Sequence, residues 1–386
     1  MGTDLSAEQA ILRDAVRDFV ARERMRESSR DWDRDAKFPQ DLWRKLAATG
    51  WCGLGVPSEY GGGDGKVADL AIVIEELAKG DPSFASTYMA NQFSGVRTIS
   101  GHGTDAQKAE YLPRMAAGEV MFAVGISEPD GGTDVLSVMR TKAERDGEEW
   151  VINGTKMWTT GATYSDYVLV LANTEADPPK KTLGKTLFIV PTDAPGLEIQ
   201  KLEMMSSRAS ETTQTFYTDV RVPADAVVGE VGRGFYHLLD SLNNERILLA
   251  AMSLGAARQS LDAAVEYASQ RKAFGRTVGG FQAIQHKLAR CAMQLEAARL
   301  MTYHAADLQE RGEPCQAEAA MAKVMTSEVA WEVAFHGTRL MGAIGISLES
   351  DMQRYLRDAW PPLNGPMTNE QALNIIGESL GLERSY

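Results

Sequence analysis

From Ser6 onward, apolar residues fall at Ile11/Leu12, Ala15/Val16 and Phe19/Val20, a recurrence of four that predicts a helix with one buried face. Ser6 and Gln9 stand three apart just ahead of it, the spacing of a capping box. The same period runs through Leu42 to Leu46, Leu70 to Leu77 and Ala106 to Met115. It is punctuated by the turn formers Pro57-Ser58, Gly61-Gly62-Gly63 and Gly101-His102-Gly103. Residues 1–122 therefore read as a helical domain.

Between residues 123 and 232 the pattern changes to β-branched and aromatic residues in alternation, with frequent tight-turn residues. Trp150 to Ile152 and Thr155 to Trp158 flank Asn153-Gly154, which predicts a β-hairpin there. Tyr167 to Ala172, Thr186 to Val190 and Thr215 to Val222 supply further strands. No helical crossovers separate them, so an antiparallel barrel or sandwich is expected. The polar stretch Asn173 to Lys185, with two adjacent prolines, reads as an exposed loop. Residues 233–386 are helical again and in longer pieces: Phe281, Ile284, Leu288, Cys291, Leu295 and Ala298 recur at threes and fours, as on the inner face of a four-helix bundle. Glu245 to Ala268 reads as its antiparallel neighbour. The expected class is α+β, in the order helical domain, middle antiparallel β domain, helical bundle.

Length and charge narrow the function. A chain of 386 residues is long enough for two or three buried cores. A formal charge of −13 with no cluster of Lys and Arg argues against a nucleic-acid surface. No apolar run approaches the roughly 20 residues of a membrane-spanning helix. Met1 to Asp4 lead straight into a polar helical pattern, so no secretory signal and a cytoplasmic location are expected. Cys52, Cys291 and Cys315 are scattered without CxxC spacing, which suits a reducing compartment and offers no zinc site. His286 and His304 read as ordinary helix residues, and no metal is expected.

Chemistry concentrates in Gly125 to Asp134, where Ser127-Glu128-Pro129-Asp130-Gly131-Gly132-Thr133-Asp134 sets hydroxyls beside glycines, followed by Trp158-Thr159-Thr160. Glycines let backbone approach a ligand and hydroxyls donate to it, as a phosphate-bearing aromatic cofactor requires. Taken singly, Trp158 after a hairpin reads as core and Arg271 at a helix end as a solvated cap. It is their joint occurrence that points to a ligand.

This arrangement resembles the acyl-CoA dehydrogenase family. The likeness runs in the family's order from Phe38-Pro39 and the Gly50 to Gly63 region through Trp150 to Thr174, Pro195-Gly196-Leu197 and Val222-Pro223 to Arg271 to Leu288 and Arg357-Asp358. The resemblance implies noncovalent FAD. Ile126, Ser127 and Thr133 would contact its ring and pyrophosphate, Trp158 would lie along the isoalloxazine, and Thr160 would bond near N5. Arg271, Phe274 and Gln282 would reach the cofactor of a neighbouring subunit, in a homotetramer built as a dimer of dimers. Thr368 and Glu370 would lie near the cofactor too. In Arg339-Leu340-Met341-Gly342-Ala343 the family has Gln at the first place and Gly at the fifth; Arg339 could still pair with a cofactor phosphate.

The family reaction is α,β-dehydrogenation of an acyl-CoA thioester to the 2,3-enoyl-CoA, with electrons passed to an electron-transferring flavoprotein. In many members the base stands in a Glu-Gly-Thr segment after Arg-Asp. Counting from Arg357-Asp358 puts Pro366 there, which is no base and has no N–H for the thioester oxygen; such a donor is typically worth ~3 kcal/mol. Either a loop shift lets Met367 donate instead, or the stabilisation is weaker or arranged differently. In the isovaleryl and long-chain branches the base comes from an earlier helix, in a segment resembling Leu242 to Arg246, and Glu245 matches it. Asn243, Arg246 and Thr133 would bind the substrate. Glu370 is the competing carboxylate, although Thr368 and Gln371 have capping-box spacing, which places it at a helix start. The branch implies a 3-methyl-branched or a medium to long acyl chain, such as citronellyl. A noncatalytic subunit paired with an active paralogue, and a flavin oxidase or monooxygenase on the same fold, remain open on sequence alone.

Overall fold

The computed structural model describes residues 5–132, 134–239 and 242–384. Its first part comprises α1 (Ala7–Arg22), α2 (Met25–Asp35), α3 (Gln40–Ala47), α4 (Val67–Ala78), α5 (Pro82–Ala90), α6 (Arg97–His102) and α7 (Asp105–Ala116). Ser6 and Gln9 form the expected capping box on α1. The run from α5 to α6 is nearly continuous through a π-helical turn, Asn91–Val96. The turn former Gly101-His102-Gly103 breaks the helix as expected: α6 ends at His102, Gly103 is extended at its C-cap, and α7 begins at Asp105. α5 is buried on almost every side, so it carries no strong apolar stripe.

The middle part contains β1 (Phe122–Gly125), a short α8 (Val135–Val138), β2 (Lys142–Asp146), β3 (Glu149–Thr160), β4 (Tyr167–Asn173), β5 (Lys185–Pro191), β6 (Leu197–Lys201), β7 (Thr212–Pro223) and β8 (Val227–Val228). They form one eight-stranded sheet in the order β6-β7-β3-β2-β4-β5-β8, with β1 paired to β4. Most pairs are antiparallel, but β1 runs parallel to β4, and so does β2 through one residue pair. The polar loop after β4 ends one residue earlier than expected: Lys185 is buried and paired with Asn173 in the sheet.

Asn153-Gly154 is not a hairpin turn. β3 passes straight through it, and the turn lies at Gly147-Glu148, where Asp146 pairs with Glu149. The reason is tertiary. Gly154, at φ 150°, sits in a bulge against β7, where a Cβ would lie 2.6 Å from Thr141 Cα. Asn153 meanwhile exchanges hydrogen bonds with Asp219 of β7, donating at 3.0 Å and accepting at 2.8 Å. Long-range pairing overrode a local turn preference.

The last part holds α9 (Gly234–Leu239), α10 (Leu242–Gln270), a hairpin of β9 (Lys272–Ala273) and β10 (Arg276–Thr277), α11 (Gln282–Glu310), α12 (Gln316–Met341), α13 (Met352–Asp358), α14 (Pro361–Asn364) and α15 (Asn369–Ser379). α10, α11 and α12 pack on one another and α15 packs on α12. One core joins Phe84 and Ile74 of the first part to Ile247 and Leu249 of α10 and Tyr303 of α11, so the head of α10 is clamped between the two helical parts. α10 crosses α4 closely enough that a Cβ on Gly255 would collide with the carbonyl oxygen of Glu75. No helix among the described residues is long and apolar enough to cross a membrane.

Candidate active site

Ile126 and Ser127 follow directly on β1, and β3 fixes where they lie. The Met157 N–H donates to the Ser127 carbonyl at 2.9 Å, and the ammonium of Lys156 donates to the Ile126 carbonyl at 3.0 Å and to Glu128 Oε1 at 2.9 Å. Lys156 is fully enclosed, and burial pushes its ammonium down to about 8 against the pull of Glu128. Glu128 also accepts the backbone N–H groups of Arg140 and Thr141, at 2.7 and 2.9 Å. With the ammonium and these donors facing it, its carboxyl is held below the ordinary range despite the opposing effect of burial. Sequence reading missed this ion pair. Its one signal was a lysine on the inward-facing phase of a strand, which needs an acid opposite. Thr133 lies outside the described residues.

Trp158 is held in an unusual way. The β3–β7 register slips between Met157 and Thr159, so Trp158 has no partner in the ladder, and its backbone takes φ 64°. Left-handed backbone is unfavourable for a bulky residue, and such a bulge re-aims the side chain. The indole is accordingly 51% exposed rather than core. Thr160, two residues on, is exposed at the strand end with its Oγ1 3.1 Å from Thr212 Oγ1. A strained aromatic face, a hydroxyl and a backbone edge thus share one margin of the sheet. That set fits a planar, hydrogen-bonding cofactor ring.

Glu245 stands in the first turn of α10, half-buried, and burial pushes its carboxyl up to about 7 although the adjacent Arg246 guanidinium pulls the other way. A carboxylate that changes charge near neutrality is matched to general-base work. Arg246 is buried. Its Nη1 donates to Asn243 Oδ1 at 3.0 Å, while its Nε finds no acceptor. Asn244 Oδ1 is likewise buried without a donor. Orphaned polar atoms flanking one acid fit a polar ligand there. Asn244 and Leu248 also wall a cavity of about 360 Å³, completed by Leu70, Gln92 and Phe93. At about 100° per residue, Glu245 lies roughly a quarter-turn from that wall.

Glu370 differs from the half-buried Glu245 in its exposure. It is exposed in the first turn of α15, whose N-cap Thr368 accepts the Gln371 N–H at 3.2 Å. Pro366 precedes it on an exposed turn. The Met367 N–H, next along, meets no acceptor among the described residues.

The remaining candidates form a separate group. Phe274 and Gly275, at φ 50° and 81°, make the two-residue turn of the β9–β10 hairpin, which holds the Phe274 ring 94% exposed. Arg271 and Gln282 flank this hairpin and are exposed. Arg339 lines a second cavity of about 210 Å³ between α11 and α12 with Ile284, Leu288 and His336, and Ala343 is exposed beyond the end of α12. Arg271 follows the far end of α10. The 25 residues from Glu245 to Gln270 span about 38 Å at 1.5 Å each, so one chain does not bring this group to Glu245.

Comparison with known proteins completes the picture. The chain matches the acyl-CoA dehydrogenase N-terminal domain over residues 6–119, the middle domain over 123–220 and the C-terminal domain over 232–381. It is 36% identical to the probable acyl-CoA dehydrogenase YngJ of Bacillus subtilis, covering 98% of this chain and 100% of that one. It is also 36% identical to the bovine mitochondrial short/branched chain specific acyl-CoA dehydrogenase, over 97% of this chain and 86% of that one. Among solved structures, a glutaryl-CoA dehydrogenase from Mycobacterium smegmatis in complex with FADH2 superimposes with a TM-score of 0.92 at 30% identity, covering 99% and 96% of the two chains.

Proposed function

The chain belongs to the acyl-CoA dehydrogenase family of flavoprotein oxidoreductases, and from that premise we propose that it oxidises an acyl-CoA to the 2,3-enoyl-CoA with Glu245 as the base. The observation that carries this is the half-buried carboxyl at the head of α10, held up to about 7 beside orphaned polar atoms. Ionised, Glu245 takes the α proton of the thioester. Its elevated proton affinity makes it a far stronger base than a solvated glutamate. Arg246 and Asn243, bonded to each other, hold the turn that aims it. The Met367 N–H, one residue past the proline and without an acceptor among the described residues, would donate to the thioester oxygen and support the charge that develops there.

FAD, when bound, supplies the acceptor for the β hydride. Ile126, Ser127, Thr133, Trp158 and Thr160 would hold it, with Thr368 and Glu370 nearby. The exposed Phe274, Arg271 and Gln282, with Arg339 and Ala343, would complete the site of a second copy in a homotetramer. Support for that assembly comes from the 38 Å separation and from a phenylalanine whose ring meets only the edge of Phe281 among the described residues and stays almost wholly exposed. Electrons would leave to an electron-transferring flavoprotein. The domains are taken as residues 1–122, 123–232 and 233–386, and three buried unpaired cysteines fit a reducing, cytoplasmic setting.

The cavity beside Glu245 would take the acyl chain, and the short/branched chain specific relative supports a branched substrate. Anaerobic addition of branched and straight acyl-CoA thioesters to the purified yellow protein tests this reading. Bleaching of the visible flavin band is expected, fastest with a 3-methyl-branched chain. A protein that purifies colourless and takes up no FAD would overturn it.

A further inference from the structure

Lys323 lies on the buried face of α12, only 1% exposed. Its ammonium donates to Asn369 Oδ1 at 2.6 Å and reaches the Leu363 carbonyl at 3.4 Å. These two acceptors stand on either side of the Gly365-Pro366-Met367 turn, so one cation closes both ends of that turn. Ser327, one helical turn on, places its hydroxyl 3.2 Å from the same Asn369 oxygen.

The surroundings show that this is more than filling. Met367, Ile375 and Ile376, with Ala372 of α15 itself, already pack against Ala320 and Val324 of α12, so α15 has apolar contacts with α12 besides this bridge. A buried ammonium is costly unless its partners are well placed, whereas its donors fix direction in a way that methyl groups do not. Lys323 also senses both sides of the chemistry. Burial pushes its ammonium down to about 8, against the smaller pull of Glu370 and Glu328 and with a minor push from Arg246 in the Glu245 turn.

We propose that Lys323 is a positioning residue for the reaction: by bridging Leu363 and Asn369 it holds the intervening turn so that the Met367 N–H meets the thioester oxygen opposite Glu245. The assignment rests on the reading of Glu245 as base. It explains how a chain with proline at the usual donor position keeps a rigid donor one residue later.

The test uses Lys323→Met, Asn369→Leu and the double variant of the flavin-loaded enzyme. Flavin content, acyl-CoA affinity and the anaerobic single-turnover bleaching rate are measured, with the infrared stretch of the bound thioester carbonyl. Each single variant should bleach about tenfold or more slowly, with flavin content and affinity within about twofold of wild type. The carbonyl stretch should return towards its value in water, and the double variant should be no slower than the slower single one. Multiplying losses in the double variant, a loss wholly in affinity, or a lower melting temperature with an unchanged rate and stretch would overturn the proposal. Should Lys323→Met fail to fold, Asn369→Leu alone decides by the same readouts. Glu245→Gln separates the two claims: if it is inactive while the Lys323 and Asn369 variants are fully active, only the bridge fails, whereas full activity in Glu245→Gln removes the base beneath it.

Discussion

Replacing Glu245 with Gln should stabilise the fold, and do so more as pH rises. A carboxyl held at about 7 in the folded chain and near 4.5 when unfolded keeps its full contribution to stability below the unfolded value. It loses that contribution as pH climbs through the folded one. At 1.36 kcal/mol per pH unit the limiting loss is about 3 kcal/mol; the linkage relation gives about 1 at pH 5 and about 3 at pH 8.5. The side chain is half-buried, so solvent screening trims these figures, to about half at worst. With an unfolding entropy of about 2.1 cal/mol/K per residue, 386 residues correspond to about 0.8 kcal/mol/K. The variant should therefore melt about 2–4 °C above wild type at pH 8.5 and within about 1 °C of it at pH 5. Thermal scans at both pH values, with matched protein and excess FAD, provide the comparison. An equal shift at the two pH values, or a variant less stable at pH 8.5, would refute the picture of an acid kept above its solution range by burial.

Three other perturbations test separate parts of the site. Trp158→Gly should release about 1 kcal/mol of left-handed strain and raise the melting temperature of flavin-free protein, yet weaken FAD binding by equilibrium titration. Lys156→Met leaves Glu128 buried without its partner and should cost about 3–5 kcal/mol in denaturant unfolding, most of it recovered by adding Glu128→Gln. Phe274→Ser should leave the subunit fold unchanged in circular dichroism while shifting sedimentation towards smaller species, because the ring makes little contact within its own chain.

Much of this architecture is legible in the chain because local rules and the final fold agree. The Ser6–Gln9 cap, the inner face of α11 through Cys291, Leu295 and Ala298, and the strands around Val170 and Phe188 all follow from period and propensity. Failures came where a distant partner outweighed the local signal. Asn153-Gly154 carries a turn preference that Thr141 and Asp219 override, and α5 shows no stripe because almost every side of it is covered. At the site, Glu245 could be picked out only by resemblance, since a first-turn glutamate is ordinarily a dipole complement. What makes it different, burial and an elevated proton affinity, exists only once α10 is clamped. Lys156 with Glu128, and Lys323 with Asn369, are separated by 28 and 46 residues. No spacing rule links them.

The claim that α10 rather than α15 supplies the base is tested most directly by single-turnover bleaching of Glu245→Gln and Glu370→Gln side by side, each loaded with FAD and mixed anaerobically with the best acyl-CoA. The expected result is bleaching slowed by about 100-fold or more in Glu245→Gln and near wild type in Glu370→Gln, with equal flavin content in both. The reverse order, with Glu245→Gln bleaching at the wild-type rate and Glu370→Gln silent, would contradict the account.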